Sequence, residues 1–199
     1  MKSLFITSSG TEIGKTLVTA ALCHQLTARG LKVQALKPVV SDFNDGDLET
    51  DTAVLLHALG QSATAENIDA MSPWRFQAPL SPDMAAARED RKVDFEALIA
   101  HCEAATRQLD DVLLIEGVGG VMVPLNADKM VRDWMAALGM PAILVVGSYL
   151  GSISHTLSAV EALRAGGIPV KAVVISTSDE SPVPVEETAE TLSRFLGPV

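Results

Sequence analysis

Thr7-Ser8-Ser9-Gly10-Thr11-Glu12-Ile13-Gly14-Lys15-Thr16 has the residue types and spacing to act on phosphate. It follows the apolar run Leu4-Phe5-Ile6 and enters a helical pattern with Leu17, Ala20, Ala21, Leu22 and Leu26. A strand, a glycine-bearing turn, Gly-Lys-Thr and a helix together make a phosphate-binding loop. Backbone N–H groups at a helix start point at an anion, and the helix dipole favours negative charge there. Lys15 supplies a mobile cation for the outer phosphates. Thr16 supplies a hydroxyl for a Mg²⁺ carried by the nucleotide. The usual pattern has Gly five positions before Gly14. Ser9 stands there, and the glycine falls at Gly10. Gly-Lys-Thr alone also occurs by accident at the start of core helices; its place between a first strand and a periodic helix favours the phosphate reading.

Three further groups could join this loop. Glu116 ends the apolar run Val112-Leu113-Leu114-Ile115. A carboxylate there is placed to ligate, directly or through water, a Mg²⁺ held by Thr16; the plainer reading is an acid capping a strand. Gly117-Val118-Gly119-Gly120 follow and leave room for a nucleotide close to the backbone. Asp51 opens a helix, where an N-cap role suffices; the sharper reading makes it a further oxygen ligand near Mg²⁺. Lys37 precedes Pro38, which biases it to extended backbone. At a strand's carboxyl end it is poorly explained as a solvated lysine. With Lys15 it could flank a phosphate in transfer and neutralise developing charge.

These groups need a scaffold, and the chain has the composition for one. Its 199 residues, 48% hydrophobic, suffice for one globular domain over residues 1–199. Apolar strands alternate with amphipathic helices. Strands are expected over 3–8, 32–37, 112–116, 142–146 and 170–175. Helices are expected over 14–29, 50–59, 82–89, 94–108, 129–138 and 153–165, with a last one after Pro182–Pro184 reaching about Phe195. Asp42–Asp47 reads as an acidic loop, and 61–80 shows no single period around Met71, Trp74 and Phe76. This order implies an α/β fold of the P-loop NTPase kind, with a mainly parallel sheet and helices on both faces. Ligands then bind beyond the carboxyl ends of the strands.

The net charge of −10 argues against a nucleic-acid partner and an anionic membrane surface. No apolar run reaches the ~20 residues of a membrane span, and no signal-peptide pattern opens the chain. A cytoplasmic location is expected. Cys23 and Cys102 are far apart and form no metal-ligand spacing. His24, His57, His101 and His155 are scattered and read as ordinary helix residues.

Ser9–Thr16, Lys37-Pro38-Val39-Val40-Ser41, Ser81-Pro82, Glu116–Gly120 and Leu150-Gly151-Ser152-Ile153 together resemble the dethiobiotin synthetases, in order and through most of the chain. The resemblance implies an ATP- and Mg²⁺-dependent ligase of biotin biosynthesis. It would close the ureido ring of dethiobiotin from 7,8-diaminopelargonic acid and CO₂. It further implies that Glu12, Ile13, Gly14, Lys15, Thr16 and Leu17 wrap the phosphates and that Thr16, Asp51 and Glu116 hold Mg²⁺. Thr11, Lys37 and Ser41 would meet the diamine or its carbamate, with Thr11, Lys15 and Lys37 as the catalytic set. The substrate carboxylate would meet Leu150, Gly151, Ser152 and Ser154 of the other subunit, which implies a homodimer with composite sites. Gly117, Val118, Gly119 and Ser176 would complete the nucleotide site.

The chain departs from the family pattern at several positions. Ser8 stands where Gly is usual and Gly10 where Asp is. Tyr149 replaces a frequent Lys, Ser154 a frequent Asn, and Ser176 the Asn that commonly reads the base. The competing readings are a regulatory or partitioning P-loop ATPase and another ligase of the same superfamily. Partitioning ATPases often carry an extra Lys early in the loop, and none of Thr7–Ile13 is Lys.

Overall fold

The computed structural model describes residues 2–44, 50–108, 111–178 and 181–197. The elements run β1 (Lys2–Ser8), α1 (Lys15–Ala28), β2 (Val33–Leu36), β3 (Val39–Val40), α2 (Asp51–Ala58), α3 (Ala65–Met71), β4 (Trp74–Arg75), α4 (Pro82–Ala87), α5 (Phe95–Thr106), β5 (Val112–Glu116), α6 (Val131–Leu138), β6 (Ala142–Gly147), α7 (Ser152–Ala165), β7 (Val170–Ser176) and α8 (Val185–Leu196).

β1, β2, β5, β6 and β7 form one parallel sheet in the order β2-β5-β1-β6-β7. Strands in such a sheet are buried on both faces, so they read as continuous apolar runs. In β5 every residue, Glu116 included, is buried. Alternation then sorts the side chains by face. Phe5, Leu113, Ile115, Leu144 and Val146 meet α5, α6, α7 and α8 through Leu98, Trp134, Val160 and Leu192. Ala35, Val112, Leu114, Ile6, Ile143 and Val145 face α1 on the other side, through Val18, Leu22 and Cys23. Helices thus cover both faces. Phe5 and Trp134 meet edge to face at 4.8 Å, the arrangement that suits aromatic quadrupoles.

The expected elements appear with boundaries shifted by a residue or two. The stretch 61–80 resolves into α3, capped by Thr64 on Asn67 N, and the two-residue β4. β4 pairs with β3 in a small parallel sheet. Its backbone bonds, Trp74 N to Pro38 O at 3.0 Å and Phe76 N to Val40 O at 2.9 Å, hold the segment that carries Ser41. A two-residue strand has too little periodicity to be read in advance. Residues 45–47 of the expected acidic loop lie outside the described residues. No helix among the described residues is long and apolar enough to cross a membrane.

Candidate active site

Strand register explains why distant residues meet. Leu36 pairs with Ile115, and Ile6 pairs with Glu116. Lys37, one residue past Leu36, therefore arrives beside Glu116 at the carboxyl edge of the sheet. β1 lies on the other side of β5 and delivers the Ser9–Gly14 turn to the same edge. The turn needs left-handed backbone at Glu12, φ 57°, and at Gly14, φ 85°. At Gly14 a Cβ would stand 2.9 Å from Ser176 Oγ, so the position favours glycine twice. No side chain caps α1, so its first N–H groups face outward without an intrahelical partner.

Thr16 Oγ1 lies 2.8 Å from Asp51 Oδ1 and 2.7 Å from Glu116 Oε1. One hydroxyl carries one proton and can donate to only one carboxylate. The excess negative charge is met by Lys37, whose Nζ is 2.6 Å from Glu116 Oε1 and also ion-pairs with Asp51 Oδ2. Lys37 is 3% exposed and Glu116 0%. Burial works against the charged lysine, but Glu116 and Asp51 outweigh it and hold the Lys37 ammonium above its ordinary range. Burial likewise works to raise the Asp51 carboxyl, and Lys37 and Thr16 overcome it to hold the group low. Lys15 is different. Burial and then the neighbouring Lys37 ammonium push it down to about 8, against the pull of Glu116 and Asp51. Its Nζ donates to Ser8 Oγ at 3.1 Å and Gly10 O at 3.4 Å.

Both lysines line one cavity of about 730 Å³. Thr11, Glu12, Ile13, Gly14, Thr16, Ser41, Asp51, Val118 and Gly119 line it too, with Pro79–Pro82 across from the loop. Glu116 stands behind Thr16 and Lys37. Ser41 Oγ is buried without a hydrogen-bond partner, as is Glu116 Oε2. Gly117 lies apart, packed near the Phe5 ring. Leu17 is 70% exposed and Ser176 stands beside Gly14; neither lines the cavity. Leu150, Gly151, Ser152 and Ser154 lie at the start of α7, also away from it.

Two expectations change. Asp51 is not the N-cap of α2. Thr50 caps it, accepting from Ala53 N at 3.3 Å, and frees the Asp51 carboxylate for Thr16 and Lys37. Thr50→Ala is expected to cost about 1 kcal/mol, read as a lower denaturation midpoint. His155 is more than a helix residue: its Nδ1 is 2.8 Å from Tyr149 Oη. Sequence reasoning missed Ser8 as a contact of Lys15; a polar residue at the buried end of β1, seven before the lysine, was the available signal. The thiols are buried and pushed up, Cys23 to about 11 and Cys102 to about 12, and take no part.

A parallel sheet whose first strand ends in this turn, with lysine and threonine opening the next helix, defines a P-loop NTPase fold. A ParA family ATPase from Chlorobium tepidum TLS shares it, with a TM-score of 0.59, 12% identity, 98% of this chain covered and 81% of that one. A MinC:MinD cell division complex chain from Aquifex aeolicus gives 0.56 at 15% identity, covering 96% and 73%. A family model described as an AAA domain matches residues 2–197.

The sequence relatives are more specific. The ATP-dependent dethiobiotin synthetase BioD of Acidiphilium cryptum (strain JF-5) is 50% identical, over 99% of this chain and 89% of the relative. That of Methylobacterium nodulans is 48% identical over 99% and 90%. That of Caulobacter sp. (strain K31) is 45% identical over 98% and 84%. The chain belongs to the dethiobiotin synthetase family.

Proposed function

We propose that this chain forms dethiobiotin from 7,8-diaminopelargonic acid and CO₂, using ATP, the nucleotide in its relatives' names. The observation that carries the reading is the meeting of Lys15 and Lys37, from two βα junctions, in one cavity. One substrate amine takes up CO₂ as a carbamate and loses a proton. A carbamate oxygen attacks the γ-phosphorus, and ADP leaves. The second amine attacks the carbonyl carbon of that anhydride, the C–O bond breaks, and phosphate departs as the ring closes.

The chain's residues suit these steps. A carbamate beside a triphosphate brings like charges together; at ~4 Å the repulsion is about 4 kcal/mol per pair at an effective dielectric of 20. Lys15 and Lys37 offset it. The uncapped start of α1 with Glu12–Leu17 holds the phosphates. Thr11 and Ser41 hydrogen-bond the diamine or carbamate, and the unpartnered Ser41 Oγ supports this.

Thr16, Asp51 and Glu116 are the residues that would hold Mg²⁺. Among the described residues no cluster of three or more acidic, imidazole or thiol groups is placed for a metal. Two carboxylates and a hydroxyl suit a Mg²⁺ that arrives on phosphates rather than one caged by protein. The unpartnered Glu116 Oε2 fits the same reading. When bound, the ion supplies charge neutralisation on the phosphates. Val118 and Gly119, which line the cavity, border the nucleotide, and Ser176 stands beside Gly14 of the loop. A second copy supplies the carboxylate site through Leu150–Ser154, making a homodimer; the 86% exposure of Leu150 supports it.

Purified protein is expected to release phosphate from ATP only with the diamine, bicarbonate and Mg²⁺ together, and to yield dethiobiotin by mass spectrometry. Equal phosphate release without the diamine would assign the chain to the regulatory ATPases. Running ATP, CTP and GTP in parallel tests base preference in the same assay.

A further inference from the structure

Ser8 closes β1 with no exposed surface. Its Oγ lies 2.5 Å from Gly10 O and 3.0 Å from Gly119 O, and it accepts from Lys15 Nζ at 3.1 Å. Its single proton serves one carbonyl at a time, and a lone pair remains for the ammonium. The surrounding backbone is fixed: Val121 N donates to Ser8 O at 3.1 Å, and a Cβ on Gly120 would stand 3.3 Å from Gly10 N. The hydroxyl is therefore a preset oxygen, at a position where the family pattern has glycine.

Two ammonium groups, Lys15 and Lys37, meet the Asp51 and Glu116 carboxylates around Thr16, and they are sorted unequally. Lys37 engages both Asp51 and Glu116. Lys15 bonds only loop oxygens, although both carboxylates attract it. Without Ser8 Oγ, its one remaining acceptor is Gly10 O at 3.4 Å. The Asp51 side chain is 45% exposed and open to approach from the cavity.

We propose that Ser8 is a positioning residue that anchors Lys15 to the phosphate loop, so that a single ammonium rather than two competes with Mg²⁺ for Asp51 and Glu116. This rests on the metal reading proposed above. Ser8 acts through Lys15 and touches neither metal nor substrate.

The test is calorimetric binding of the non-hydrolysable nucleotide AMPPNP, with Mg²⁺ and with EDTA, to wild type, Ser8→Ala and Ser8→Thr. The wild type is expected to bind more tightly with Mg²⁺. Ser8→Ala is expected to lose about tenfold of that gain, the scale of one charged hydrogen bond. Ser8→Thr keeps the oxygen and is expected to keep the gain. A purely structural serine would lower the melting temperature and leave the Mg²⁺ ratio intact; that result in Ser8→Ala overturns the proposal. Loss of the ratio in Ser8→Thr at an unchanged melting temperature overturns it as well. Absence of any Mg²⁺ gain in the wild type removes the metal reading instead. Should Ser8→Ala not fold, Ser8→Gly deletes the same oxygen and carries the same expectation.

Discussion

Lys37→Ala is expected to cut turnover by about 10²–10³-fold, the usual effect of removing one preorganised group that meets developing charge. Nucleotide affinity is expected to stay within a few-fold, because the α1 N-terminus and Lys15 remain. Steady-state kinetics and nucleotide calorimetry separate the two quantities. A matching collapse in ATP binding would give Lys37 a nucleotide-holding role instead. Stability should fall too. Glu116 has no exposed surface, and among the described residues its only ion-paired ammonium is Lys37. Stripping a buried carboxylate of its counter-ion costs about 3–5 kcal/mol where no relief exists. The Thr16 hydroxyl, 2.7 Å from Glu116 Oε1, softens that cost, whereas the Asp51 carboxylate loses the same partner and adds repulsion. A reduced melting temperature alongside intact nucleotide affinity is the expected signature.

Glu116→Gln is expected to raise the Mg²⁺ concentration for half-maximal activity by about tenfold or more, the effect of one charge-assisted contact. The amide keeps the shape of the side chain and an oxygen near Thr16 Oγ1. It loses the charge that Lys37 balances and that a divalent ion would meet. An unchanged Mg²⁺ titration would remove Glu116 from the metal site and leave it as a structural anchor for Lys37. Circular dichroism of the variant, compared with wild type, separates a local charge effect from loss of the fold.

Much of this site was legible in the residues because strand ends advertise themselves. β5 is five buried residues ending in an acid, and a parallel sheet sends such an acid to the edge where ligands bind. Lys37 before a proline announced the end of β2 in the same way. The meeting of the two was not legible, since it depends on β5 lying between β1 and β2, and strand order is long-range information. The cap of α2 was misplaced for a local reason: Thr50 and Asp51 are both good capping residues, and only the tertiary pull of Thr16 and Lys37 decides which one caps. The stretch 61–80 was opaque because a seven-residue helix and a two-residue strand each span too few periods to produce a pattern. Ser8 stayed hidden because it ends the expected strand, and its contacts with Gly10 and Gly119 depend on how the loops fold back over that end.

The interleaved strand order also sets a schedule for synthesis. β1 and β2 leave the ribosome first, yet the slot between them is filled by β5, which begins at Val112. Until that segment emerges, the partners of Ile6 and Leu36 do not exist, and Lys37 has no Glu116 to dock on. Pairing of this range is slow and leaves sheet edges open meanwhile. A nascent chain short of β5 therefore has its phosphate loop in sequence but no pocket behind it, and triphosphate has nothing to capture until the acidic strand slides home.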